Sequence, residues 1–196
     1  MRKTLDLILS DLRRKAEWCY ERTDRGAMMK ALATDGTPAM ILYRLMQSSR
    51  AHGLAPLEMV FNRLNTSLCG CTIGRGAEFG PGFVLIHSDG VVINGLVRGG
   101  SNILVEHQVT IGAERRQAPE LGNDIFIGAG AKIIGTAKVG DGAKIGANAV
   151  VVRDVAANTT VVGVPAKPVV RREAAPAEPS PPAAEDAGKP TNDPPN

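Results

Sequence analysis

Residues 73–112 read IGRGAEFGPGFVLIHSDGVVINGLVRGGSNILVEHQVTIG, and residues 121–152 read LGNDIFIGAGAKIIGTAKVGDGAKIGANAVVV. From Ile73 an apolar residue returns at every sixth position: Phe79, Leu85, Val91, Val97, Ile103 and Val109, then, past Arg115, Leu121, Ile127, Ile133, Val139, Ile145 and Val151. Thirteen of fourteen positions fit, which removes chance as a competitor. The fourth position after each is usually small, as at Ala77, Ser101, Ala113, Ala131, Ala137, Ala143 and Ala149. A hexapeptide period of this kind marks a parallel β-helix. A period of 3.6 would have marked a helix and strict alternation an ordinary strand. With three hexads per coil, residues about 18 apart stack on one another. The apolar series breaks over 113–120, AERRQAPE, and then resumes in phase, so this stretch is expected to stand out as a loop from one corner.

Outward from the repeat, residues 1–66 read as an N-terminal helical domain, 67–170 as the β-helix domain, and 171–196 as a disordered tail. In the first segment Leu5, Ile8, Leu9 and Leu12 share one helical face, with Asp11, Arg13, Arg14 and Lys15 mostly on another. Thr37-Pro38 suggests an N-cap and first helical position, and Pro56 opens a further helix. Such helices suit a cap over one end of a repeat array, whose exposed strand edges need cover. The tail is rich in Pro, Ala and Glu and has too little apolar surface to order itself.

Charge divides along the same line: residues 173–196 carry −4 and residues 1–172 carry +7. No Lys/Arg run interleaved with aromatics is present, so nucleic acid is not an expected partner. No apolar run reaches membrane-spanning length. Three cysteines (Cys19, Cys69 and Cys71) without a secretory signal point to free thiols in the cytoplasm. Cys69-Gly-Cys71 lacks the second pair of a zinc site, and no metal is expected.

The tract IGRGAEFGPGFVLIHSDGVVIN, followed by VTIG, IGAGAKIIGTAKVGDGAKIGANAVVVRDV and VVGVPAKPV, resembles the serine acetyltransferase branch of the hexapeptide acyltransferases. The resemblance covers about residues 65–170 and implies a left-handed parallel β-helix. It also implies a homotrimer with active sites between subunits, acetyl-CoA as co-substrate and a hydroxyl acceptor. Whether trimers pair through the helical cap stays open. His87 matches the family's catalytic histidine. Imidazole titrates near neutrality, so it suits a base that removes a hydroxyl proton and returns it to a thiolate. Coenzyme A is expected along the groove between coils, at Gly112, Gly130, Ala131, Lys132, Gly146 and Ala147, with Lys167 near its phosphates.

Departures from the family pattern bear on the acceptor. The aspartate of the family's catalytic dyad is replaced by Thr72, the aspartate before the histidine by Ile86, and the loop's arginine and histidine by Gln117 and Ala118. An amino-acid carboxylate wants a bidentate arginine, and its ammonium wants an acid. Arg115 or Arg116 partly answers the first need, which keeps serine as an alternative. The tract HSDGVVIN with EHQVTIG is more similar to polysaccharide-modifying members of the colanic-acid type, so a sugar hydroxyl is the expected acceptor. Asp89 and His107 both break the small-residue rule; 18 residues apart, they are expected to stack and pair. Two other classes compete. A zinc hydro-lyase of the γ-carbonic-anhydrase type needs three converging histidines, and a silent trimeric scaffold would explain the lost aspartate.

Overall fold

A computed structural model describes residues 2–169; the tail expected to be disordered lies outside the described residues. Four helices come first: α1 (Arg2–Tyr20), α2 (Arg25–Leu32), α3 (Thr37–Ala51) and α4 (Ala55–Cys69). Short strands follow. They are β1 (Thr72–Ile73), β2 (Glu78–Phe79), β3 (Val84–Leu85), β4 (Val92–Ile93), β5 (Arg98–Gly99), β6 (Leu104–Val105), β7 (Thr110–Gly112), β8 (Glu120–Leu121), β9 (Phe126–Ile127), β10 (Lys132–Ile134), β11 (Lys138–Val139), β12 (Lys144–Ile145), β13 (Val150–Val151), β14 (Thr160–Val162) and β15 (Lys167–Pro168). They stack into three sheets, ordered β1-β4-β7-β10-β13, β11-β8-β5-β2 and β15-β14-β12-β9-β6-β3. All pairings are parallel except the closing β14–β15 pair. The parallel β-solenoid anticipated from the hexads is the fold.

Every strand but the closing β15 turns its second residue inward. One sheet stacks Ile73, Ile93, Ile111, Ile133 and Val151, and another stacks Leu85, Val105, Ile127, Ile145 and Val161, all buried. In the third sheet Gly99 leaves a gap that the ring of Phe79 fills, since a Cβ on Gly99 would collide with that ring.

The coil length is not constant, which corrects the simple reading of the repeat. Val84 pairs with Leu104, twenty residues on; Leu104 pairs with Phe126, twenty-two on; only later does Phe126 pair with Lys144, eighteen on. Two extra residues sit in the corner between β3 and β4, and four more in the loop between β7 and β8. Together they make one hexad, so the apolar series leaves and re-enters phase unnoticed. Between the two insertions, Val91, Val97, Ile103 and Val109 occupy the inward corner positions that Ala131, Ala137, Ala143 and Ala149 fill in later coils. The loop at 113–119 does stand out as expected. It is a tight hairpin closed by reciprocal Glu114–Gln117 backbone bonds of 2.8 and 2.9 Å, with Arg115 and Arg116 at positive φ.

The helices cover the first coil and one flank. Tyr43 of α3 donates from its hydroxyl to Ala77 O and accepts from Phe79 N, both at 3.1 Å. Trp18 of α1 stacks on Phe126, with ring centroids 5.3 Å apart, so α1 runs past the first coil along the sheet that ends in β3. Thr37 is not the N-cap of α3: Gly36 is, at φ 78°, and the Thr37 hydroxyl donates to Ala31 O at 2.7 Å. The amphipathic reading of α1 also needs correction. Leu5 and Leu9 are exposed, while Asp11 and Lys15 are each only 1% exposed.

Asp11 has a clear partner. Arg44 of α3 donates to it through Nε at 2.7 Å and Nη2 at 2.9 Å, and reaches Phe79 O and Gly80 O on the solenoid. Asp11 in turn accepts from Phe83 N at 3.0 Å. Burial pushes the Asp11 carboxyl above its ordinary range, against the pull of Arg44. One buried ion pair therefore fastens α1, α3 and the first coil together. Arg44→Met should lower the unfolding free energy by about 3 kcal/mol or more in urea denaturation, because it strands a buried carboxylate and several carbonyls. The double replacement Asp11→Leu/Arg44→Met should recover much of that loss.

Candidate active site

His87 stands on the corner between β3 and β4, where the two inserted residues swell the turn. The next corners on the same edge carry His107, then Gly130, then Ala147. Their stacking is fixed by Gln108 N donating to Asp89 O, Gly130 N to His107 O, and Asn148 N to Ala129 O. Four residues singled out from the sequence thus lie on successive corners of one edge.

The partner of His87 comes from outside the solenoid. Its Nδ1 lies 3.0 Å from Asp35 Oδ2, in the turn between α2 and α3. With Asp35 ionised, Nδ1 carries the proton and donates, which leaves Nε2 as the free acceptor. The other oxygen of Asp35 accepts from Gly36 N at 2.6 Å and from the Ser88 hydroxyl at 3.3 Å. Partial burial opposes the charged form of Asp35, but the bonds from His87, Gly36 and Ser88 outweigh it and hold the carboxyl below its usual range. Gly36 is required for this approach: a Cβ there would run into the Leu85 carbonyl, and its φ of 78° favours glycine.

Asp89 and His107 do not pair. The step between coils is twenty on the β3 side of the enlarged corner and eighteen on the β4 side, and the ring of His107 lies against that of His87, with centroids 6.0 Å apart at 76°. His107 Nδ1 instead has Glu106 Oε2 at 3.7 Å, and Asp89 Oδ1 lies over Gly70. Ile86 is buried in the core, and its side chain takes no part in the exposed site. Thr72 lies 3.4 Å from the Thr66 hydroxyl, so it does not replace a dyad carboxylate.

The remaining expected residues fall into three groups. Ala131 is fully buried, backbone included, and Lys132 Nζ donates to Gln108 O at 2.6 Å. Gly112, Arg115 and Arg116 belong to the end of β7 and the loop after it, at the opposite edge of the β1-β4-β7-β10-β13 sheet from His87. Gly146 ends the β12 rung, and Lys167 lies in β15 beyond β14, within that strand's closing pair. Asp35, Ser88 and Lys15 were missed. Asp35 stands before a glycine in the short link ahead of Thr37-Pro38, and nothing local ties it to a histidine 52 residues away.

The third histidine, His52, caps α3 with Nδ1 2.7 Å from Ser48 O, away from the pair formed by His87 and His107. Among the described residues no group of three His, Cys, Asp or Glu side chains is arranged to hold a metal. No helix among them is long and apolar enough to cross a membrane.

This solenoid, with one carboxylate-held imidazole on a corner, defines a hexapeptide-repeat transferase, and residues 118–153 match the family described as "Bacterial transferase hexapeptide (six repeats)". Over 140 residues the chain is 35% identical to the serine acetyltransferase of Helicobacter pylori, spanning 69% of this chain and 82% of that protein. It is 37% identical over 130 residues to that of Mycobacterium tuberculosis, covering 64% and 56% of the two chains. The crystal structure of Neisseria gonorrhoeae serine acetyltransferase superposes with a TM-score of 0.79 at 31% identity, over 90% of this chain and 68% of that one. A serine acetyltransferase solved in complex with CoA superposes with a TM-score of 0.77 at 26% identity, over 86% and 70%. The chain belongs to the serine acetyltransferase family and is an acyltransferase.

Gly36→Val should break the approach of the α2–α3 turn to Leu85. It is expected to lower turnover by roughly 10–100-fold while the far-ultraviolet circular dichroism of the solenoid is kept.

Proposed function

We propose that the protein is a serine O-acetyltransferase, moving the acetyl group of acetyl-CoA to the hydroxyl of L-serine. The observation that carries this reading is the exposed His87 imidazole, held through Nδ1 by Asp35 with Nε2 free. In the reaction Nε2 takes the serine hydroxyl proton as the oxygen adds to the thioester carbonyl. The tetrahedral adduct collapses, the C–S bond breaks, and the imidazolium returns its proton to the CoA thiolate. Transfer is direct. Burial raises all three thiols above their ordinary range, Cys71 to about 12, which disfavours an acyl-enzyme on cysteine.

Serine is favoured over a sugar hydroxyl because the relatives above are named serine acetyltransferases and because the site does have acids. Asp35 and Glu106 flank the two imidazoles, so the carboxylate missing at Ile86 is available from elsewhere for an ammonium group. The lean towards polysaccharide substrates gains no support from these relatives. Arg115 and Arg116 leave a different edge of the same chain, so a homotrimer in which a neighbour's loop meets His87 is the assembly this reading requires. Acetyl-CoA would lie along the edge below His87, beside Gly130, with Gly146 and Ala147 one coil on. The free cysteines and this co-substrate suit the cytoplasm.

CoA thiol release from acetyl-CoA should be rapid with L-serine and at background level with sugars or oligosaccharides. His87→Ala should lower the serine rate by roughly 10²–10⁴-fold. Turnover on a saccharide without turnover on serine would overturn the acceptor assignment.

A further inference from the structure

Among the described residues, Lys15 is the one buried charged side chain of α1 that the buried ion pair of Asp11 and Arg44 does not account for. It is 1% exposed, and its ammonium donates to two backbone carbonyls. One is Leu85 O at 3.0 Å, two residues before His87; the other is Asp35 O. The two ends of the His87–Asp35 hydrogen bond are therefore joined a second time, underneath, through one nitrogen. A methionine or leucine in this place would pack without the cost of desolvating a charge. The two carbonyls explain the lysine: Gly36 brings the turn against Leu85, and two carbonyl oxygens facing one another across that contact repel unless a cation lies between them.

We infer that Lys15 is a positioning residue for His87: its ammonium ties the turn bearing Asp35 to the end of β3, and so fixes the carboxylate against the imidazole. This rests on His87 acting as the base of the proposed reaction. The groups facing Lys15 are Cys19, one turn on along α1, Asp35 from the α2–α3 turn, and His87 beyond it, with Glu106 beside Cys19. Asp11, one turn back, is occupied by Arg44.

Burial lowers Lys15 to about 8, with Cys19 and Asp35 opposing the shift. The consequences for stability and for positioning run in opposite directions. Between pH 8 and the ordinary lysine range the folded chain has released a proton that the unfolded chain retains, so this group's contribution to stability rises with pH. Over the same interval the charge-assisted bonds to the two carbonyls weaken. Alkaline loss of activity from this source therefore comes without loss of fold.

Two variants and one titration test this. Lys15→Met should lower kcat for serine acetylation roughly 10–100-fold with little change in the KM for acetyl-CoA. Lys15→Arg keeps a permanent charge, so it should retain activity and move the alkaline limb above the wild-type position near pH 8. Nitrogen-15 imidazole spectra of the wild type should show His87 Nδ1 protonated and hydrogen-bonded at pH 7, and that signature weakening through about pH 8. Lys15→Met should lack it throughout. The spectra need no acceptor, so failure of the serine assignment would leave this readout intact. A folded Lys15→Met protein with wild-type kcat, or a His87 Nδ1 signal unchanged between pH 7 and pH 9, would overturn the inference. If Lys15→Met does not fold, the wild-type titration alone decides.

Discussion

A solenoid coil must close on the coil before it. Each two-residue rung donates and accepts in register with its neighbours, as Thr110 N does to Ala131 O and Lys132 N to Ala149 O. Any residue beyond the hexad count has no rung to occupy and is expelled at a corner. Here that constraint acts twice. It pushes out the loop that bears Arg115 and Arg116, and it swells the corner that bears His87. At the swollen corner the ring of His107, from the next coil, lies against that of His87. The site is thus placed by a counting mismatch in an otherwise regular ladder.

The helices do more than seal the first coil. The buried pair of Asp11 and Arg44 and the Tyr43 hydroxyl fasten α1 and α3 to backbone groups in and beside β2. With those helices fixed, the turn between α2 and α3 has little freedom, and Asp35 meets His87 at hydrogen-bond distance. An imidazole on an exposed corner would otherwise rotate freely. A carboxylate anchored on a second structural unit sets both its ring orientation and its tautomer. His87 and its partner belong to different parts of the chain, so docking of the cap and formation of the His87–Asp35 pair are one event.

Much of this was legible from residues alone. The hexads, a local pattern, lead to the solenoid; His87 is singled out only through the family resemblance of the tract around it. What escaped was long-range or compensated. The two-residue and four-residue insertions together restore the apolar phase, so counting from Ile73 to Val151 hides both, and with them the approach of the His107 ring to His87. Asp35 lies 52 residues before His87, in a turn whose sequence looks like ordinary punctuation. Lys15 and Asp11 follow the polar stripe of a helix that seems to offer Leu5 and Leu9 to the core. Tertiary pairing with Arg44 and with two carbonyls overrode that pattern.

A double-mutant cycle on kcat across His87 and Asp35, with His87→Ala, Asp35→Asn and the double variant assayed on L-serine, addresses the central claim directly. If Asp35 acts through His87, removing the carboxylate in the absence of the imidazole costs almost nothing further, and the two effects are strongly non-additive. Losses that multiply in the double variant would contradict the account and leave Asp35 a separate role.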